Sequence, residues 1–292
     1  MVESRKSIAS RIFDALNAIL MFLILFIMLY PFVYVVNYSL SDMARVRGNL
    51  LFWPIGFNVD AYASVFQNAQ IPQAALVSVA RSLVGPAMML IVMSMAGYAL
   101  CRENLIGRKI LNKYFVFTMY FSGGMIPVFL LIKALGLLGN FWVYILPGLS
   151  NAFYLVLIRT YMEGLPVDLE EAALIDGAGY FLIYVRIVLP LCLPVLAAVA
   201  MFSMVGHWNS FMDVRLYNSM DKSLFTLQYV LYNYLNSTSA TTAEQAQAIG
   251  STYSAETIKM AITTITVLPI LFVYPFLQRY FVSGLLIGSV KG

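Results

Sequence analysis

Six long apolar stretches, parted by short polar connections, set the frame of this chain. They cover approximately residues 15–36, 71–100, 114–131, 141–158, 188–205 and 261–281. Each is near the ~20 residues with which a helix crosses about 30 Å of hydrocarbon. The pattern therefore predicts an all-α integral membrane protein with six transmembrane helices. The first stretch is too long for the core of a cleavable signal, and Pro31, Tyr34 and Asn37 stand where small residues would precede cleavage, so it reads as a retained helix. Gly123, Gly124 and Pro127 interrupt the third stretch and would kink or open a lone helix there. Membranes tolerate such breaks where neighbouring helices or a watery cavity satisfy the freed backbone groups. Close packing of helices through small residues accounts for the two glycines equally well.

Between the fourth and fifth stretches the pattern turns polar. The run is Leu165-Pro166-Val167-Asp168-Leu169-Glu170-Glu171-Ala172-Ala173-Leu174-Ile175-Asp176-Gly177-Ala178-Gly179, with Ile187-Val188-Leu189-Pro190 beyond it. Pro166 suits a first helical turn. Asp168, Glu170 and Glu171 bring negative charge to the positive end of the helix dipole. Ala172, Ala173 and Leu174 propagate helix, and Gly177 ends it. The segment predicts a stub of two to three turns, about 15 Å long, too short to span a bilayer. Small Ala172, Ala173 and Ala178 would let the groove of a partner close around it. An ordinary surface helix joining two spans would look similar in the acidic-alanine run alone.

Composition and charge sharpen this frame. Hydrophobic residues make up 61% and charged residues 11%, and the mean hydropathy of +0.81 excludes a water-soluble globule. Eleven Lys and Arg residues fall on the side that holds both termini and the 170–179 segment, and six on the other, with Arg81 inside a span. Both termini and the polar stub are therefore expected in the cytoplasm. Cys101 and Cys192 lie near cytoplasmic span ends, where thiols stay reduced, so no disulfide is expected. The formal charge of +4 is ordinary for basic inner loops and gives no reason to expect nucleic acid.

Arg81 lies about ten residues into the second span, roughly 15 Å down its axis. A charge at such depth costs about 3 kcal/mol and is normally paired or hydrated. All 14 acidic residues fall in loops, at termini or at span edges, so no partner within the chain is evident, and snorkelling or a role in attracting an acidic ligand are both open. Trp208 and Asn209, at the outer end of the fifth span, are candidates for the same path, although Trp208 could equally be an interfacial anchor. His207, the one histidine, has no Cys, Glu or second His nearby to build a metal site. The outer loop, 207–259, interleaves Tyr217, Phe225, Tyr229, Tyr232 and Tyr234 with polar residues and carries a flexible tip at 237–242. The chain has no phosphate loop, no H-E-x-x-H and no carboxylate cluster at membrane depth, which argues against an ATPase or a membrane enzyme. An ion-coupled carrier usually places ionisable groups near the midplane or shows inverted repeats, and no convincing repeat is present.

The 165–179 run resembles the EAA loop of binding-protein-dependent ABC importers. Phe121-Ser122-Gly123-Gly124-Met125-Ile126-Pro127, Phe141-Trp142, Trp208-Asn209-Ser210-Phe211 and the ending from Tyr274-Pro275 to Lys291-Gly292 resemble carbohydrate-importer permeases, in the branch that takes complex, often uronate-bearing oligosaccharides. The resemblance covers nearly the whole chain. It implies a type I ABC importer permease fold, with a cytoplasmic coupling helix (166–179) between helices 4 and 5. Glu170, Glu171, Ala172, Ala173, Asp176, Gly177 and Ala178 would dock on the ATPase, with Gly288, Lys291 and Gly292 of the tail contacting it as well. It also implies a second homologous permease subunit, two cytoplasmic ATPase subunits that bind the ATP and Mg, an extracytoplasmic solute-binding protein, and an oligosaccharide of alginate or pectin type. No cofactor, metal or catalytic residue is expected on this chain. A neutral oligosaccharide carried by the same architecture is the alternative, and an ion-coupled carrier is the alternative of another class. The expected organisation is an N-terminal segment with the first span (1–37), an outer loop (38–70), a core permease domain (71–283) and a cytoplasmic tail (284–292). A reporter fused after Gly292 is expected to read as cytoplasmic in a bacterial inner membrane; an extracytoplasmic reading would overturn the topology.

Overall fold

The computed structural model describes residues 8–42, 45, 51–237 and 255–284; the tail residues Gly288, Lys291 and Gly292 and the loop tip from 238 lie outside them. The described residues are helical, with no strand among them. In chain order the helices are α1 (Ile8–Ser39), α2 (Asp60–Gln67), α3 (Gln70–Cys101), α4 (Arg108–Tyr120), α5 (Met125–Ala134), α6 (Ala152–Glu163), α7 (Asp168–Ile175), α8 (Tyr180–Ile183), α9 (Leu189–Leu191), α10 (Leu193–Asn209), α11 (Met212–Tyr217), α12 (Leu227–Asn236) and α13 (Ala255–Gly284).

Three of the six apolar stretches are single helices long enough to span, Ile12–Ser39, Gln70–Cys101 and Glu256–Val273. The other three are bent pairs: α4 with α5 at 115°, Phe141–Gly148 with α6 at 48°, and Tyr180–Leu191 with α10 at 77°. Each bend has a cause in the sequence. At the first, Gly124 takes φ +88°, open to glycine and strained for other residues. At the second, the carbonyl oxygen of the Asn151 side chain accepts the Tyr154 amide at 3.2 Å and starts α6 afresh. At the third, a π-turn over Tyr184–Val188 precedes Pro190, and Pro194 sits in the first turn of α10. A proline that lacks an N–H and crowds the preceding turn makes such a wide turn and bend understandable.

The chain divides into two compact units, residues 1–68 with 234–266 and residues 69–233 with 267–292. In the first, the Tyr38 hydroxyl donates to Glu256 at 2.8 Å, and the Ser39 and Tyr62 hydroxyls share a 2.5 Å hydrogen bond. The most apolar window of α1 has no buried residue, which suits a helix facing lipid or another membrane chain.

In the second unit α3 packs against α6 and α10. Met89, Met93, Leu155, Ile158, Ile183 and Val199 form the heart of this core. Small and hydroxyl-bearing residues let the helices approach. A Cβ on Gly97 would lie 3.4 Å from Ile158, and a Cβ on Gly85 would overlap the His207 ring. The Ser94 and Tyr184 hydroxyls meet at 2.7 Å. Such contacts hold helices together where apolar burial gives no drive between them. Gly85→Val should therefore cost about 1–3 kcal/mol by overpacking. A lower melting temperature in detergent is the expected readout; unchanged melting would show that His207 yields freely.

Candidate functional site

The polar stub forms the short helix expected of it. Asp168, Glu170 and Glu171 fill the first turn of α7, and the helix closes after eight residues. Gly177 adopts φ +80°, and the amides of Gly177 and Ala178 reach back to the carbonyls of Leu174 and Ala173 at 3.0 and 2.9 Å. That pair of bonds is a Schellman closure, and it needs a residue free to turn left-handed at 177. Ala173 and Ala178 pack against the core of the second unit, whereas Glu171, Ala172, Asp176 and Gly177 face outward. Val167 is 65% exposed and Ile175 86%. α7 thus turns apolar as well as acidic side chains away from its own chain.

Arg102, one residue past the end of α3, clasps this helix. It pairs with Glu170, and its guanidinium lies 4.0 Å from the Tyr98 ring centre and 5.3 Å from that of Tyr180. Alongside, Arg108 donates to Glu163 at 3.1 Å and to the Leu100 carbonyl at 2.8 Å, and Arg159 donates to Asn112 at 2.5 Å. Arg102, Arg108, Glu163 and Tyr180 border a hollow of about 840 Å³ that reaches Glu170 and Glu171. In the sequence Arg102 is one more basic residue of an inner loop. Its place directly after a long helix, with Tyr98 one turn back, is the signal for its role.

A second polar cavity, of about 360 Å³, is lined by Arg81, Tyr144, Asn151, Tyr154, His207 and Asp213 among others. Here the structure corrects the expectation that Arg81 lacks a partner within the chain. Its two terminal nitrogens grip both carboxylate oxygens of Asp213, one at 3.3 Å and the other closer. The reason is a fold-back: α10 ends at Asn209, and the short α11 then returns Asp213 to α3. An acidic residue beyond a span end thereby neutralises a charge inside another span. Arg81 also lies 4.5 Å from the ring centre of Tyr144, whose hydroxyl donates to the Leu224 carbonyl at 2.8 Å. Outside the spans, Asp221 caps the turn that carries Leu224, and the Ser223 hydroxyl and amide hold its carboxyl below the usual range.

Trp208 and Asn209 do not join Arg81. Trp208 is buried on another face of α10, in an apolar hollow with Val79, Met201, Met204 and Pro269, and Asn209 is exposed at the helix end. His207 takes the cavity position instead, because neighbouring residues point about 100° apart around a helix. Among the described residues no group of His, Cys, Asp and Glu could hold a metal.

The family model of the binding-protein-dependent transport system inner membrane component matches residues 103–286. This chain belongs to that family. The polygalacturonan/rhamnogalacturonan transport system permease protein YtcP of Bacillus subtilis is 39% identical over 285 residues, 97% of this chain and 99% of the relative. The arabinooligosaccharides transport system permease protein AraQ of Halalkalibacterium halodurans is 31% identical over 279 residues, 92% of this chain and 93% of the relative. The fold matches one chain of the crystal structure of a bacterial ABC transporter involved in the import of the acidic polysaccharide alginate, with a TM-score of 0.87 and 31% identity over 95% of this chain and 99% of that one. The protein is a sugar or oligosaccharide permease of the ABC importer type, a multi-pass membrane protein. In this permease Arg102→Gln should release α7 without unfolding α3. Loss of the ion pair and the stacking, together about 1–2 kcal/mol, should speed hydrogen exchange over 168–178 by about tenfold. Unchanged exchange there would mean that Arg102 does not hold the helix.

Proposed function

We propose that this permease carries acidic oligosaccharides, built of uronate units, inward across a bacterial cytoplasmic membrane. The observation that carries the reading is Arg81, a cation on the wall of an aromatic- and amide-lined cavity. The polygalacturonan permease relative and the alginate importer neighbour point to the same chemistry. The chain would work beside a second permease subunit, two cytoplasmic ATPase subunits holding ATP and Mg, and an extracytoplasmic binding protein. It would perform no catalysis itself. Both termini and α7 would face the cytoplasm, and α7 would dock on an ATPase subunit through Glu170, Glu171, Ala172, Ala173, Asp176, Gly177 and Ala178. The exposed Val167 and Ile175 supply apolar area for that contact. ATP binding would close the ATPases, move α7 and open the path outward to a loaded binding protein, with hydrolysis resetting it. The tail through Gly288, Lys291 and Gly292 would reach the ATPase as well.

A second reading, neutral oligosaccharides, is favoured by two observations. Asp213 already neutralises Arg81, and one relative is an arabinooligosaccharide permease. A binding screen of the partner binding protein against acidic and neutral oligosaccharides decides between them, followed by ATPase stimulation of the assembled transporter.

Two variants address coupling. Glu171→Lys reverses an exposed charge on α7, and Gly177→Pro removes both the left-handed turn and the N–H that closes the helix. Each should abolish substrate-stimulated ATPase and uptake; coupled turnover at the normal rate in both would remove the assignment of α7. Deleting 288–292 should weaken stimulation while leaving insertion intact, and full stimulation in the truncated chain would release the tail from any role in coupling.

A further inference from the structure

We propose that the Arg81–Asp213 pair is exchangeable: a hexuronate carboxylate entering the cavity takes the place of Asp213 on the Arg81 guanidinium. The inference rests on the acidic-substrate reading and adds how the cavity would tell an acidic sugar from a neutral one. The two partners are unequally placed. The Arg81 side chain is 2% exposed and that of Asp213 21%. A guanidinium so buried is costly to leave without a counter-charge, whereas a carboxylate one-fifth exposed on the cavity wall can be rehydrated. Asp213 also has somewhere to go. The Ser210 hydroxyl and the Val214 amide both donate to its Oδ1 at 2.9 Å, so the carboxylate keeps two hydrogen bonds when it releases the arginine.

Arg81 is equally ready to receive a ligand. Its buried Nε has no hydrogen-bond partner among the described residues, so the edge Asp213 occupies is the one through which the guanidinium is neutralised. A planar carboxylate can use that edge in the two-point geometry arginine favours. The Tyr144 ring, 4.5 Å from the guanidinium carbon, holds the plane in position through the exchange. Asn151, Tyr154 and Tyr217 line the same cavity and offer amide, hydroxyl and aromatic surface to the sugar ring. Arg81 and Asp213 are the charged residues of this wall, with His207 as a further titratable group. A neutral sugar brings no charge to replace Asp213, so the pair stays shut against it.

The test uses the complete transporter with its binding protein in proteoliposomes, reading ATPase rate against trigalacturonate and its fully methyl-esterified form. The unmodified complex should respond at a lower concentration of the acid than of the ester. Arg81→Gln should bring the two responses together. Asp213→Asn, which removes the internal competitor, should lower the half-stimulating concentration of the acid about threefold and leave that of the ester unchanged. Independently of any substitution, hydrogen exchange over 212–217 in the unmodified complex should rise about threefold with the acid and not with the ester, because Asp213 has let go. An acid preference that survives Arg81→Gln, a shift in Asp213→Asn shared by both probes, or exchange over 212–217 indifferent to the acid would overturn the inference and leave the acidic-substrate reading standing. Equal responses to acid and ester in the unmodified complex would overturn both.

Discussion

A polypeptide backbone in hydrocarbon has no water to bond with, and that constraint shapes this permease more than any other. Helix answers it for α1, α3 and α13. Yet three spans are broken, by 115°, 48° and 77°, and each break frees backbone groups that protein or a wet cavity must satisfy. One of the three helps to build the Arg81 cavity. The bend after Gly148 brings Tyr144, Asn151 and Tyr154 to the Arg81 cavity, and the end of α10 supplies His207, Ser210 and Asp213 to it. At that bend and at the end of α10, irregular backbone brings polar side chains to one hollow.

α3 joins the two polar regions. It runs unbroken for 32 residues, with Arg81 about a third of the way along it and Arg102 just past its end. At about 1.5 Å per residue the two arginines stand roughly 30 Å apart along its axis. One grips Asp213 at the cavity, and the other grips Glu170 on α7. One continuous helix thus ties α7 and the cavity together through the two arginines.

Much of this was legible in the sequence, for identifiable reasons. The six stretches follow from hydropathy, and the first break from Gly123-Gly124, because a positive φ in mid-span calls for glycine. The α7 stub follows from its acidic first turn, its alanines and Gly177, all local signals. Failure came where the answer was tertiary. Asp213 lies 132 residues from Arg81, and nothing in the spacing reveals that the chain folds back after Asn209. Trp208 and His207 are adjacent, so choosing which faces the cavity required the rotation of α10 about its axis. Hydropathy cannot supply that rotation, since that helix is apolar nearly all round.

The claim at the centre of the account is that this chain is the membrane part of an ATP-driven importer for acidic oligosaccharides. Its most direct test is uptake of labelled oligogalacturonate into proteoliposomes holding the assembled transporter, with binding protein outside and ATP inside. The account predicts accumulation above the outside concentration that stops when either ATP or the binding protein is left out. Accumulation driven by an ion gradient without ATP would contradict it.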